Sequence, residues 1–154
     1  MSIRTTIVAV PDSRELCVES AGDPSGPTVL VHDGTPNSRH LETGAILNAE
    51  QRGIHLLSYD GPGYGRSTAR PGCAISDCTI DVRAIAEAFG IERFATWGTS
   101  GGGPYALACA ALLPDLVTSA ATLASIAPYG VADLVSVASS LSAVLATRCP
   151  HPSL

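Results

Sequence analysis

Phe94-Ala95-Thr96-Trp97-Gly98-Thr99-Ser100-Gly101-Gly102-Gly103-Pro104-Tyr105 is the stretch that decides how this chain is read. A short apolar run enters, one serine sits among glycines, and an alanine- and leucine-rich helical pattern leaves. The spacing Gly98-x-Ser100-x-Gly102 fits a sharp strand-to-helix turn that pushes a serine hydroxyl outward. Such a turn strains the backbone at the serine, so its neighbours must lack a Cβ for strand and helix to approach. Five residues alone say little. The strand before them and the helix after them give the pattern its meaning.

Upstream, Thr28-Val29-Leu30-Val31-His32 reads as a buried strand and Asp33-Gly34-Thr35-Pro36-Asn37-Ser38 as the loop that follows. Asn37 or Ser38 is the expected cap of a helix over 39–52, which Gly53 stops. Residues 54–59 form another strand, followed by the glycine-rich turn Asp60-Gly61-Pro62-Gly63-Tyr64-Gly65-Arg66-Ser67. Ile75, Cys78, Thr79, Val82, Ile85, Ala86 and Phe89 recur at helical spacing, with Asp77 in the first turn and Gly90 at the stop. At the N-terminus, 3–10 and 15–20 are two strands joined at Pro11-Asp12-Ser13. Downstream of the serine, a helix over 102–113 ends at Pro114 and 116–124 reads as one more strand. Strands that alternate with helices and are apolar throughout imply an α/β fold, a mostly parallel sheet flanked by helices on both faces.

The 45% hydrophobic and 15% charged composition is that of a folded domain, and 154 residues suffice for one core. A net charge of −5 offers no electrostatic attraction for nucleic acid or an anionic membrane. All nine basic residues are arginine, so Schiff-base chemistry and a P-loop lysine are excluded. The five cysteines contain no C-x-x-C pair and no apolar leader precedes them. They read as reduced thiols of a cytoplasmic protein, with Cys78 and Cys109 as small buried hydrophobes on helix faces. No run approaches the ~20 apolar residues of a membrane span.

Ser100 is the candidate nucleophile. A neutral hydroxyl is weak, and attack on a carbonyl creates an oxyanion that needs donors. The backbone N–H of Gly101, at a helix N-terminus, is one candidate donor. The N–H of Thr35, in a loop that Gly34 allows to turn, is the other. The expected partner is a small-molecule substrate.

Three motifs in order then resemble the α/β-hydrolase family. Asp33-Gly34-Thr35-Pro36 is similar to its H-G-x-P oxyanion loop, with aspartate in place of histidine. Asp60-Gly61-Pro62-Gly63-Tyr64-Gly65-Arg66-Ser67 is similar to its D-x-P-G-x-G-x-S turn, and Gly98-Thr99-Ser100-Gly101-Gly102 resembles its nucleophile elbow. The resemblance covers residues 1–130. It implies hydrolysis of an ester- or amide-type bond through a serine ester, without a cofactor. The serine at the elbow sets the chain apart from the dehalogenase branch, which carries aspartate there. Asp60 reads as a structural turn residue, and Tyr105 as packed rather than catalytic.

In that family the triad acid and histidine follow the serine on loops after later strands. Here the downstream candidates are Asp133 and His151, in a serine- and alanine-rich tail, and nothing fixes either beside Ser100. His32 and His55 read as structural, and His40 as opening the helix after the oxyanion loop. Residues 131–154, with one loose helix expected, read as the start of a lid region or an altered end, leaving the fold incomplete at its C-terminus. The alternative to a working serine hydrolase is therefore an inactive fragment or pseudo-enzyme lacking the triad acid and histidine. A nucleotide-binding reading would need a glycine-rich phosphate loop after the first strand, and none occurs there.

Overall fold

Every strand expected from the sequence as far as residue 124 forms, in a computed structural model that describes residues 2–36 and 38–126 and the backbone of 145–148. The strands are β1 (Arg4–Ala9), β2 (Glu15–Gly22), β3 (Thr28–His32), β4 (His55–Tyr59), β5 (Phe94–Thr99), β6 (Val117–Leu123) and β7 (Leu145–Arg148). They form one sheet in the order β1-β2-β4-β3-β5-β6-β7. The centre, β4-β3-β5-β6, is parallel. The β1–β2 hairpin joins it antiparallel at β4, and β7 pairs antiparallel with β6. The sheet is thus mixed, parallel where β-α-β crossovers build it and antiparallel in the β1–β2 hairpin and at the β2–β4 and β6–β7 pairs. The loose helix expected over 131–154 lies outside the described residues, apart from 145–148, whose backbone is extended.

Alternation along the strands divides the core into two faces. Leu30 and Leu57 point one way, into a cluster with Leu16, Val18, Val82, Ile85, Cys109 and Val117. Helices α2 (Cys78–Ala88) and α3 (Gly103–Leu112) cover this face. Val31 and Leu56 point the other way, against Ala49 of α1 (Thr43–Arg52), with Val29, Ala45 and Trp97 alongside. The fully buried Leu16, Leu30, Leu57, Ile85 and Val117 each contribute about 1.5–3 kcal/mol by leaving water.

Two boundaries differ from expectation for tertiary reasons. Residues 39–42 are not helical: α1 starts at Thr43, and its N-cap is Glu42, with no side-chain cap, rather than Asn37 or Ser38. The Arg39 amide donates to Asp60 Oδ1 and the Leu41 amide to Glu19 Oε2, which draws this segment across the sheet and out of a helical path. Gly53 ends α1 as expected, at φ 62°. Within the helix expected from residue 75, Ile75–Asp77 forms a single 3-10 turn and Ile75 is exposed. Gly44 has open space at the position of a Cβ. Gly44→Ala is therefore expected to stabilise the chain by about 0.5–1 kcal/mol, read as a raised urea midpoint at constant slope.

The connections place a site before any side chain is considered. From β3 the chain crosses by α1 to β4 on one side, then by α2 to β5 on the other. The order reverses at β3/β5, and in open α/β sheets ligands bind beyond the carboxyl ends of the strands at such a reversal. Those ends are His32 and Thr99.

Candidate active site

The loop after β3 and the turn after β5 meet at this reversal. Ser100 has φ 50°, a left-handed conformation that a serine holds only where its surroundings enforce it. The enforcement is steric. A Cβ on Gly98 would overlap the carbonyl oxygen of Gly102, and one on Gly102 would overlap that of His32. A Cβ on Gly103 would overlap the Ser125 hydroxyl. Each glycine of the motif admits a neighbouring backbone or side chain that any larger residue would expel. Ser100–Gly102 forms a 3-10 turn leading into α3, with Pro104 in the first helical turn, where its missing N–H costs nothing.

Ser100 is exposed and opens into a cleft of about 540 Å³ lined by Asp33, Gly34, Thr35, Glu42, Trp97 and Thr99, among others. Gly34 lies against it: a Cβ there would stand 3.2 Å from Ser100 Cβ and 3.8 Å from its Oγ. Close approach, rather than an unusual backbone angle, is what favours glycine at this position. Across the same gap, a Cβ on Gly101 would stand 3.2 Å from the Thr35 amide nitrogen. The fold therefore brings together Gly34, Thr35, Gly98, Ser100, Gly101 and Gly102, residues from two segments more than 60 positions apart.

Asp60 is completely buried and is a structural turn residue, as its sequence context suggested. Its carboxylate accepts hydrogen bonds from the Arg39 amide and guanidinium, at 2.9 and 2.8 Å, and from the Arg66 amide at 2.9 Å. A buried carboxylate so satisfied ties the glycine-rich turn to the segment leading into α1. Asp33 is only half-buried. Burial, with the nearby Glu42 charge, raises its carboxyl above the usual range, opposed by His32. Among the described residues, Asp33 and Glu42 are the only ionisable side chains lining the Ser100 cleft.

None of the described histidines lines that cleft. His40 is exposed and not helical, with Nδ1 3.4 Å from Glu19 Oε1. His55 is buried on β4 beside Thr28, 3.4 Å from its hydroxyl. His32 is buried behind the loop, between Tyr59 and Cys109. Asp133 and His151 lie outside the described residues.

Burial lowers His32 to about 4, with Asp33 opposing, so the ring is neutral in the fold at pH 7. In the unfolded chain it takes up a proton near pH 6.5, and between there and pH 4 only the unfolded state gains. Stability is therefore full above pH 6.5 and lost as pH falls towards 4, by roughly 3 kcal/mol from this group. Urea midpoints measured from pH 7 to 4 should show the loss, and His32→Gln should flatten the slope.

Comparison with known proteins identifies the family. The family model for the alpha/beta hydrolase fold matches residues 27–143, and the chain belongs to that family. A proline iminopeptidase of Xylella fastidiosa is 30% identical over 121 residues, covering 73% of this chain and 36% of that protein. A probable proline iminopeptidase of Streptomyces coelicolor is 28% identical over 117 residues, 71% of this chain and 36% of that protein. The chain thus spans about a third of the length of the curated relatives it matches. Among solved structures, a hydrolase from Pseudomonas aeruginosa superposes with a TM-score of 0.75 at 21% identity, over 87% of this chain and 51% of that one. That likeness concerns the fold.

Proposed function

We propose that this chain carries the nucleophile half of a serine hydrolase, with Ser100 attacking the carbonyl carbon of a small ester or amide. The observation that carries the reading is the backbone at Ser100, held at φ 50° by glycines and directed into a cleft at the sheet reversal. On attack the Oγ–H bond breaks and its proton passes to water in the cleft, the Oγ–carbon bond forms, and negative charge moves to the carbonyl oxygen. The N–H groups of Thr35 and Gly101 are the proposed donors to that oxyanion, the second reinforced by the N-terminus of α3. Collapse expels the alcohol or amine and leaves a serine ester, which water hydrolyses. The two acidic residues lining the cleft, and relatives named as proline iminopeptidases, favour a small substrate bearing a basic amine near the scissile bond. A cytoplasmic setting suits the four described cysteines, all of which are free. No helix among the described residues is long and apolar enough to cross a membrane.

A second reading is favoured by the absence of histidine from the lining of the cleft among the described residues. It makes this chain a pseudo-enzyme or fragment that keeps the elbow but lacks the base that activates it. An aryl phosphonate probe separates the two. The first reading expects one adduct, at Ser100, that is missing in Ser100→Ala. A folded chain that stays unlabelled establishes the second.

A further inference from the structure

A second cavity, of about 190 Å³, lies on the α2/α3 side of the Asp33-Gly34-Thr35 loop, and Ser100 is not in its lining. Tyr59 at the end of β4, Tyr64 in the glycine-rich turn and Tyr105 on α3 bring three flat rings to its wall. The charged residues that line it are Asp33, Arg70, Asp77 and Asp81.

Two of these residues carry buried polar atoms that no described residue satisfies. Asp81 is 1% exposed; the Arg14 guanidinium donates to its Oδ1, and its Oδ2 has no partner. Arg70 Nη2 is 3.7 Å from Asp77 Oδ1, while Arg70 Nη1, also buried, has no partner. A desolvated carboxylate oxygen and a desolvated guanidinium N–H are both costly to leave unpaired, and native structures leave few such groups. Here an unpaired acceptor and an unpaired donor belong to one cavity.

We propose that this cavity binds a small zwitterion, a free α-amino acid with an apolar side chain. The ligand's ammonium donates to Asp81 Oδ2, with Asp33 adding to the attraction, and its carboxylate accepts from Arg70 Nη1. Its side chain lies against the tyrosine rings. The opposite signs of the two unpaired groups select the ligand. A plain amine would leave Arg70 Nη1 unsatisfied; a plain carboxylate would leave Asp81 Oδ2 unsatisfied and would face three like charges, at Asp33, Asp77 and Asp81. Space is sufficient, since an apolar cavity of about 150 Å³ accepts benzene.

The test uses the Ser100→Ala chain, so that its outcome is independent of any reaction at the serine. Isothermal titration calorimetry compares L-phenylalanine with phenethylamine, which lacks the carboxylate, and 3-phenylpropionate, which lacks the ammonium. Phenylalanine is expected to bind once per chain with a Kd below about 1 mM, and each analogue at least about tenfold more weakly. Adding Arg70→Gln, where the side chain is 27% exposed, should weaken phenylalanine at least about tenfold and leave phenethylamine unchanged, a split that a general loss of structure would not give. Glu42→Gln, in the lining of the Ser100 cleft and not of this cavity, should leave phenylalanine binding as it was. If either variant fails to fold, the three-ligand series alone decides. No saturable phenylalanine binding up to about 10 mM, an analogue that binds as tightly as phenylalanine, or binding that Glu42→Gln abolishes and Arg70→Gln spares, overturns the proposal.

Discussion

Gly102→Ala is expected to destabilise the fold by at least about 3 kcal/mol. The new Cβ would overlap the His32 carbonyl oxygen and stand 2.6 Å from that of Asp33. Both are backbone atoms of the central strand and its loop, so no side-chain rotation relieves the contact. The elbow would have to withdraw from β3, and with it the parallel pairing of β5 to β3 and the packing of α3. Against a total stability of about 5–15 kcal/mol, this is a large share. Urea unfolding of the two chains side by side measures it, with Gly44→Ala as the control that moves the midpoint the other way. A Gly102→Ala chain as stable as the parent would mean that strand and helix do not meet at the elbow as described.

Ser100→Ala has the opposite profile, large in activity and small in stability. The hydroxyl lies at the surface of the cleft, and alanine accepts the same left-handed backbone at much the same cost as serine, so stability should stay within about 0.5 kcal/mol. If Ser100 is the nucleophile, turnover of an activated small ester should fall by about 1000-fold or more. A chain that is inactive before substitution supports the pseudo-enzyme reading. A chain that is active and unaffected by the substitution removes Ser100 from the mechanism. Comparing a neutral acyl ester with an aminoacyl arylamide, in parent and variant, tests the preference for a basic amine.

The parts of this molecule legible in sequence are those where one residue type is forced by geometry. Gly98 and Gly102 announce the elbow because any side chain there strikes backbone, and Asp60 announces its turn because glycine at 65 leaves room for the carboxylate. Strands showed through for a different reason: their apolar runs are bounded by breakers. The start of α1 did not. Arg39 and Leu41 are compatible with a helix, and only Asp60 and Glu19, about twenty residues away in each case, draw them out of one. The contact between His32 and Cys109 was equally invisible, since the two lie on different elements with no shared spacing. The notion that His40 opens a helix failed with the α1 boundary. What sequence could indicate about the base was limited to its absence near the elbow, and none of the described histidines lines the cleft.

The central claim is that Ser100 forms a covalent bond to the acyl group of its substrate. The most direct measurement is the mass of the chain quenched in acid during reaction with a slowly hydrolysed activated ester, followed by fragmentation. The account predicts a single added acyl group on the fragment holding Ser100, absent from Ser100→Ala. Product formation with no acyl group on Ser100, or with the group carried elsewhere, would contradict it.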